Sequence, residues 1–214
     1  MSERLPSLIV VSAPSGAGKS TVLAKVLARV PALRFSVSHT TRAARDGEKD
    51  GIAYHFVDDA RFRELIHADQ FLEWAEVHGE LKGTAWGEYE TARREGTDLL
   101  LDLDVQGAAQ VRARFPAAVS LFILPPSFAV LEQRLRDRRQ DSEESIRRRL
   151  ENARREVPLY RLYDYAVVND DMENCADAVT SVIRAARCRI SQVEGLASRV
   201  LATFSQFEEQ AKKT

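Results

Sequence analysis

The stretch Ala13-Pro14-Ser15-Gly16-Ala17-Gly18-Lys19-Ser20 decides the fold of this chain. It matches the phosphate-binding loop (P-loop) pattern G-x-x-x-x-G-K-[ST], except that Ala13 stands in place of the first glycine. Glycines let backbone N–H groups converge on phosphate oxygens, and the helix that follows points its positive end at the same anion. We therefore expect Lys19 to reach the β- and γ-phosphates of a nucleotide and Ser20 to hold Mg²⁺. The alanine matters only if its position requires a positive φ.

The segments around this loop have the context that a P-loop requires. The β-branched and apolar run at 8–12 predicts a buried strand, and the apolar spacing of 21–29 predicts a helix. Further buried strands are predicted at 99–105 and 119–124, and a last short strand at 165–168. Strands that alternate with helices indicate an α/β fold with a parallel central sheet.

Several further elements are predicted from shorter patterns. Short strands are expected at 35–40 and 53–57, on either side of a charged loop, and a helix at 60–68. Ser127 is a good helix N-cap, and another helix is expected to begin near Asp141, which has a capping-box spacing with Glu144.

The C-terminal segment is predicted to be helical and apolar on one face. Its face fits packing on its own domain as well as packing on a partner subunit, so a homo-oligomer is one of two expectations. The residues on that face are Val193, Leu196, Val200, Leu201, Phe204 and Phe207.

Composition excludes several classes of protein. The chain has 214 residues, a formal net charge of -1 and 44% hydrophobic residues, which fits one ordinary globular domain and disfavours a protein that coats nucleic acid. Its two cysteines form no C-x-x-C motif and its four histidines have no metal-ligand spacing. No apolar run is long enough for a signal peptide or a membrane span, so we expect a cytoplasmic protein without membrane or nucleic-acid partners.

Two groups of charged residues are candidates for binding. Arg42, Arg45 and Tyr54 fit an anion clamp, although two bare arginines by themselves favour a solvated charged loop. Asp102 and Asp104 are two residues apart, so on a strand they would face the same side, at the end where open α/β sheets bind ligands. One of them is expected to support Mg²⁺ through water, and for Asp104 a purely structural hydrogen bond is the alternative.

An ordered series of motifs extends these patterns. After S-A-P-S-G-A-G-K-S come S-V-S-H-T-T-R-x-x-R-x-G-E-x-x-G-x-x-Y, F-L-E-W-A-E-V-H-G, L-D-L-D-V-Q-G-A, F-I-L-P-P-S, Q-D-S-E-E-S-I and V-V-N-D-D. Over roughly residues 8 to 190, the series resembles the bacterial type of the guanylate kinase family, which belongs to the nucleoside monophosphate kinases. The resemblance implies a three-layer P-loop NTPase core with a parallel sheet, a mixed α/β GMP-binding subdomain and a helical lid. The implied boundaries within the single domain 1–214 are core 5–34, 97–128 and 158–190, GMP-binding subdomain 35–96, lid 129–157 and C-terminal helical extension 191–214.

The resemblance also implies the reaction and the site. The expected activity is transfer of the γ-phosphoryl group of ATP to GMP, and to dGMP, with Mg²⁺. The implied catalytic residues are Lys19, Arg42, Arg138 and Arg149, and the implied metal-binding residues are Ser20 and Asp102. The implied ATP-binding residues are Pro14, Ser15, Gly16, Ala17, Gly18, Lys19, Ser20, Thr21, Arg134, Arg138, Asn169 and Asp170. The implied GMP-binding residues are Ser38, Arg42, Arg45, Tyr54, Glu73, Lys82, Thr84, Asp102 and Asp104.

This chain departs from the family pattern at two positions. Lys82 stands where the family often has a tyrosine whose hydroxyl contacts phosphate. Lysine binds phosphate as a point charge, so GMP binding is expected to survive with a stronger dependence on salt. Arg139 replaces a glycine that is common in the lid, so the flexibility of the lid is expected to differ.

The sequence disfavours three alternative functions. A non-catalytic guanylate-kinase-like binding module is disfavoured by the intact Gly18-Lys19-Ser20 and the lid arginines. A kinase for another nucleoside monophosphate is disfavoured by Glu73 with Thr84, since a carboxylate accepts the N1–H and N2–H₂ donors of guanine. A nucleic-acid binder that uses the arginine-rich lid is disfavoured by the net charge of -1 and by the lack of an aromatic platform.

Overall fold

The computed structural model describes residues 6–77, 79–137 and 142–211, with side chains up to residue 205. The strands are β1 (Leu8–Ser12), β2 (Leu33–Phe35), β3 (His39–Thr40), β4 (His55–Phe56), β5 (Phe71–Val77), β6 (Glu80–Ala85), β7 (Asp98–Asp102), β8 (Val119–Leu124) and β9 (Tyr165–Val168). The helices are α1 (Lys19–Arg29), α2 (Asp59–His67), α3 (Trp86–Glu95), α4 (Val105–Arg114), α5 (Phe128–Asp137), α6 (Glu143–Glu156), α7 (Met172–Ala186) and α8 (Ile190–Ala211). A 3₁₀ helix spans Val157–Leu162.

The larger sheet is parallel and lies between two layers of helices. Its five strands have the order β2-β7-β1-β8-β9. Ile9 and Val11 of β1 face a core shared with α1 and α7, whereas Leu8 and Val10 face one shared with α3 and α4. Alternate residues of a strand point to opposite faces, so a strand that is apolar throughout is buried on both sides. The predicted three-layer α/β class is confirmed.

The smaller sheet is mixed, with the order β4-β3-β6-β5. β5 and β6 form an antiparallel hairpin that the sequence analysis did not predict. A Cβ on Gly83 of β6 would lie 2.9 Å from the backbone oxygen of Glu73, so only glycine fits against β5 at this point. This hairpin carries both Glu73 and Thr84, in register with one another.

Two predicted strands have different boundaries from those expected. The strand expected at 35–40 is wrong as one element, because β2 ends at Phe35 in the larger sheet and β3 begins at His39 in the smaller one. The strand expected at 99–105 ends at Asp102. Asp104 is the N-cap of α4, and its Oδ1 accepts hydrogen bonds from the N–H groups of Gln106 (2.7 Å) and Gly107 (3.1 Å). Asp102 and Asp104 therefore do not share one side of a strand.

The helices α5 and α6 pack against each other through a small apolar core. Leu131 and Leu135 of α5 meet Ile146 and Ala153 of α6. Ser127 Oγ accepts a hydrogen bond from the N–H of Val130 at 3.2 Å, which is the bond expected of the N-cap residue of α5. The N-cap of α6 is Ser142, so the helix begins after the predicted Asp141, which itself lies outside the described residues.

The helix α8 leaves its apolar face uncovered. Leu196, Val200, Leu201 and Phe204 are between 49% and 66% exposed. Packing of these residues on their own domain, one of the two expectations, is therefore wrong, and the side chain of Phe207 lies outside the described part of the chain. No helix within the described ranges combines the length and the apolar character needed to cross a bilayer.

Candidate nucleotide site

The P-loop joins β1 to α1 and uses its glycines for backbone geometry. Gly16 has φ 93° and Gly18 has φ 90°, values that side chains rarely allow. A Cβ on Gly18 would also lie 2.5 Å from Nδ2 of Asn169. Ala13 is not among the described residues with a positive φ, so its methyl group is accommodated without backbone strain.

Two side chains from distant parts of the chain hold the P-loop in place. Asn169 Nδ2 donates to the backbone oxygen of Ala17 at 2.7 Å, and Arg134 Nη1 donates to the same oxygen at 3.3 Å. Arg134 Nη2 also donates to the backbone oxygen of Asn169 at 3.0 Å. Asn169 is only 1% exposed, so its amide supports the loop from the protein interior. Asp170, which follows it, is exposed and lies two residues before the start of α7.

Lys19 connects the P-loop to the end of β7. Its Nζ forms an ion pair with Asp102 Oδ1 and donates to the backbone oxygen of Leu103 at 3.1 Å. Ser20 and Thr21 follow in the first turn of α1 and are exposed. The hydroxyl of Ser20 and the carboxylate of Asp102 thus lie on two neighbouring segments at the carboxyl end of the parallel sheet.

Helix α6 approaches the P-loop through one arginine. Arg149 Nη1 of α6 donates to Ser15 Oγ at 3.4 Å. Arg138, which the sequence analysis placed with Arg149 in the lid, lies outside the described residues, as does Arg139.

Glu73 lies in a buried polar cluster in the smaller sheet. Its Oε1 accepts the N–H of Thr84 at 2.9 Å, and Thr84 Oγ1 is 3.0 Å from Ser38 Oγ. Glu73 is 3% exposed, and burial, with a smaller contribution from the charge of Asp104, raises the pKa of its carboxyl group to about 7. This trio therefore joins a carboxyl group and two hydroxyls in one hydrogen-bonded cluster.

Arg42, Tyr54 and Lys82 form a cationic wall near that cluster. The guanidinium of Arg42 lies 5.5 Å from the centre of the Tyr54 ring, and Lys82 Nζ lies 5.6 Å from it. Burial, together with the charges of Arg42 and Lys19, lowers the pKa of Lys82. Arg42 is paired with the carboxylate of Glu48, whereas Lys82 forms no hydrogen bond or ion pair within the described residues. The ammonium group of Lys82 is therefore the charge of this wall that has no direct carboxylate partner in that part of the chain.

Glu48 is a residue whose role the sequence analysis missed. Arg42 Nη2 lies 2.8 Å from both carboxylate oxygens of Glu48, and the N–H of Arg45 donates to Oε2 at 2.8 Å. Glu48 thereby orders the loop that carries both arginines. Glu48 is the last residue of the R-x-x-R-x-G-E pattern, which supported the family resemblance but did not indicate a contact with the arginines.

Most of the predicted acceptor-side residues meet at one cavity of about 220 Å³. It is lined by Lys19, Ser38, Tyr54, Glu73, Val77, Lys82, Gly83, Asp102, Leu103 and Asp104. Glu156 of α6 lies close by, and burial together with Asp104 raises the pKa of its carboxyl group; no motif had singled it out. A larger cavity of about 720 Å³, between α5 and α6, contains none of the predicted site residues, so we locate the site at the smaller one.

This fold and this site define a class of protein. A P-loop at the carboxyl end of a parallel sheet, facing a second sheet with a cationic wall and a buried carboxyl group, is the arrangement of a P-loop kinase that acts on a small phosphorylated acceptor. The family model for guanylate kinase matches residues 6–186. The chain belongs to the guanylate kinase family.

Similar proteins support this assignment over most of their length. The guanylate kinase of Syntrophotalea carbinolica is 47% identical over 193 residues, which cover 90% of this chain and 92% of that protein. The guanylate kinase of Aromatoleum aromaticum is 49% identical over 185 residues, covering 86% of this chain and 90% of that one. The crystal structure of guanylate kinase from Anaplasma phagocytophilum matches with a TM-score of 0.73 at 34% identity, covering 89% of this chain and 90% of that one.

Proposed function

We propose that this chain transfers the γ-phosphoryl group of ATP to GMP, giving ADP and GDP, and that dGMP serves as an acceptor as well. Membership of the guanylate kinase family supports the reaction. The observation that carries the assignment of the site is that Lys19 of the P-loop and Glu73 of the smaller sheet line one cavity. A donor phosphate bound at Lys19 and an acceptor nucleotide whose base is bound at Glu73 would share this cavity.

Base selection is assigned to Glu73, with Ser38 and Thr84 beside it. Guanine presents N1–H and N2–H₂ donors on one edge, whereas adenine has no donor at N1. An ionised carboxylate accepts both guanine donors, and charge-assisted hydrogen bonds of this kind are stronger than neutral ones. Thr84 already donates its N–H to Oε1, which leaves Oε2 and the remaining lone pairs for a base.

The acceptor phosphate is assigned to Arg42, Arg45, Tyr54 and Lys82. Their support is the ammonium group of Lys82, which lines the cavity without an ion pair among the described residues, and the 5.5 Å approach of Arg42 to Tyr54. The second pKa of a phosphate monoester is about 6, so the attacking oxygen of GMP is already ionised at neutral pH. Catalysis then requires alignment and positive charge at the transferring group rather than a general base.

ATP is assigned to the P-loop residues 14–21, with Arg134 and Arg149 on the lid side. Lys19, released from Asp102, would reach the β- and γ-phosphates, and Asn169 would keep the loop backbone in its binding shape. We assign residues 129–157, including Arg138, to a lid that closes over the nucleotide. Closure excludes water, and without it the γ-phosphoryl group would be lost to hydrolysis.

Mg²⁺ is proposed as the cofactor. The hydroxyl of Ser20 and the carboxylate of Asp102 are hard oxygen donors of the type that this ion prefers, and Asp102 is held next to the P-loop by Lys19. Bound Mg²⁺ neutralises charge that develops on the phosphates. Asp104 caps α4, the helix that packs against Glu73, and we assign it to the support of that helix rather than to direct contact with GMP.

The remaining partners and the compartment are proposed on bulk properties. The net charge of -1 supports small nucleotides, rather than nucleic acid or a membrane, as the partners. Cys175 and Cys188 are both free, which supports the cytoplasm. A homo-oligomer stays a prediction of the sequence, since the described apolar side chains of α8 do not pack on the domain; sedimentation velocity measures it, and a monomer would contradict it.

The experiment that tests the function is an acceptor comparison. ADP release from ATP and Mg²⁺ is measured with GMP, AMP, CMP or UMP, each against a blank without acceptor. We expect turnover with GMP to exceed the other three by at least about 100-fold, because a site built to hydrogen-bond its substrate discriminates more strongly than a purely apolar pocket. Binding of GMP without turnover would favour the non-catalytic module, and preference for another acceptor would contradict the role of Glu73.

A further inference from the structure

Gly107 of α4 faces the carboxyl group of Glu73. A Cβ on Gly107 would lie 2.4 Å from Oε2 of Glu73, 3.2 Å from its Cδ and 3.7 Å from its Cγ. Gly107 is in the first turn of α4 and has no positive φ, so its backbone conformation does not require glycine. Alanine is the more favourable residue in a helix. The missing side chain is therefore explained by the space that Glu73 occupies.

We propose that Gly107 is a positioning residue that determines base specificity: its lack of a side chain creates the space in which the Glu73 carboxyl group takes its base-reading position. This inference rests on the proposed role of Glu73. It goes beyond that role, because Gly107 is not among the residues that line the cavity and acts only through the carboxyl group. It also assigns α4 a part in choosing the substrate.

The surrounding contacts prevent the two elements from moving apart to relieve a clash. The side-chain amide of Gln110 in α4 forms two hydrogen bonds with the backbone of β5. Its Oε1 accepts the N–H of Trp74 at 3.2 Å, and its Nε2 donates to the backbone oxygen of Trp74 at 2.6 Å. Arg114 Nη1, one turn further along, donates to the backbone oxygens of Phe71 (2.9 Å) and Leu72 (3.1 Å). The strand β5 is thus fastened to α4 on both sides of Glu73.

A methyl group at position 107 would therefore displace the end of the Glu73 side chain rather than the backbone. The carboxyl group is a flexible end, so the fold is expected to tolerate the change. Its Oε1 would leave the N–H of Thr84, and Oε2 would leave the cavity. Recognition of the base would be lost while the P-loop, on the other side of the cavity, stays intact.

The test compares Gly107→Ala with Gly87→Ala. Gly87 also lies in the first turn of a helix, α3, and a Cβ there meets no atom within 4 Å. We expect Gly107→Ala to keep its melting temperature and to raise KM for GMP by about tenfold or more, the effect of losing a charge-assisted hydrogen bond. KM for ATP stays unchanged, and Gly87→Ala leaves both constants as they were.

A double-mutant cycle with Glu73→Ala separates this inference from the function on which it rests. Glu73→Ala alone should raise KM for GMP, and Gly107→Ala should add nothing further in that background, because the group it displaces is gone. An unchanged KM in Gly107→Ala, or additive effects, overturns the role of Gly107 while the role of Glu73 stands. No effect of Glu73→Ala on GMP would instead contradict the proposed function itself.

Failure of Gly107→Ala to fold is also decisive. The double variant Glu73→Ala/Gly107→Ala removes the carboxyl group that the new methyl would meet. Recovery of folding in the double variant, measured by circular dichroism, supports the contact between the two residues. Continued failure to fold overturns the inference, because the methyl group would then clash with something other than Glu73.

Discussion

Glu73 is a buried carboxyl group whose ionisation controls what it can bind. Burial disfavours the charged form and raises its pKa to about 7. Reading both donors of guanine requires the ionised form, so protonation as the pH falls removes one acceptor. At the scale of this residue, the consequence is a dependence of acceptor use on pH.

We expect kcat/KM for GMP to fall as the pH decreases through about 7, the pKa of Glu73. The acceptor phosphate also titrates, with a pKa of about 6. Glu73→Gln isolates the effect of the protein, because an amide does not titrate. Its profile should keep only the lower transition; if it keeps the transition near 7, a different group is responsible.

Lys82 contributes a charge where the family pattern has a hydroxyl. With no carboxylate partner within the described residues, its ammonium group is available to a phosphate. We expect Lys82→Met to raise KM for GMP by about tenfold, since hydrogen bonds to charged groups are among the stronger ones. Lys82→Tyr should restore part of the binding with a weaker dependence on salt. Lys49→Met, which removes the same charge from an exposed position in the acceptor loop, is the control; an equal loss there would mean that only general charge matters.

At the scale of elements, the P-loop depends on a residue far away in the chain. Asn169, just after β9, donates a hydrogen bond to the carbonyl of Ala17, and the two residues are 152 positions apart. β9 and α7 therefore take part in shaping the donor site. Helix α5 adds a second hydrogen bond to the same carbonyl through Arg134.

Loss of the Asn169 amide should weaken both the fold and the donor site. We expect Asn169→Ala to lower the free energy of unfolding by about 0.5–1.5 kcal/mol, the net contribution of one hydrogen bond, because Arg134 still donates to the same carbonyl; urea denaturation measures the change. KM for ATP should rise while KM for GMP changes little. Asn174→Ala, at an exposed position in the first turn of α7, is the control and should leave both unchanged. A rise in KM for GMP that matched the rise for ATP would contradict a role confined to the P-loop.

The secondary-structure elements differ in how far the sequence predicted them. β1, the P-loop and α1 are contiguous, and their apolar patterns and glycines predicted them with small errors at the boundaries. The β5–β6 hairpin was missed because its pairing depends on a close approach at Gly83. The position of Asp104 was misjudged because an alternating pattern does not reveal where a strand gives way to a helix cap.

At the scale of the whole molecule, the site exists because two sheets face each other. The parallel sheet brings Lys19 and Asp102 to its carboxyl end, and the smaller sheet brings Glu73, Tyr54 and Lys82 to the same cavity. The family resemblance predicted this meeting, since spacing alone does not specify which residues of separate elements come together. The contact of Gly107 with Glu73 could not have been predicted in this way, because it arises only from the packing of α4 on β5.

The central claim is that a phosphoryl group passes from ATP to GMP, and identification of the products tests it most directly. The chain is incubated with ATP, Mg²⁺ and GMP, and the nucleotides are separated by chromatography with inorganic phosphate measured in parallel. We predict that ADP and GDP appear in equal amounts, without release of inorganic phosphate. Formation of ADP and inorganic phosphate with GMP unchanged, or no reaction at all, would contradict the claim.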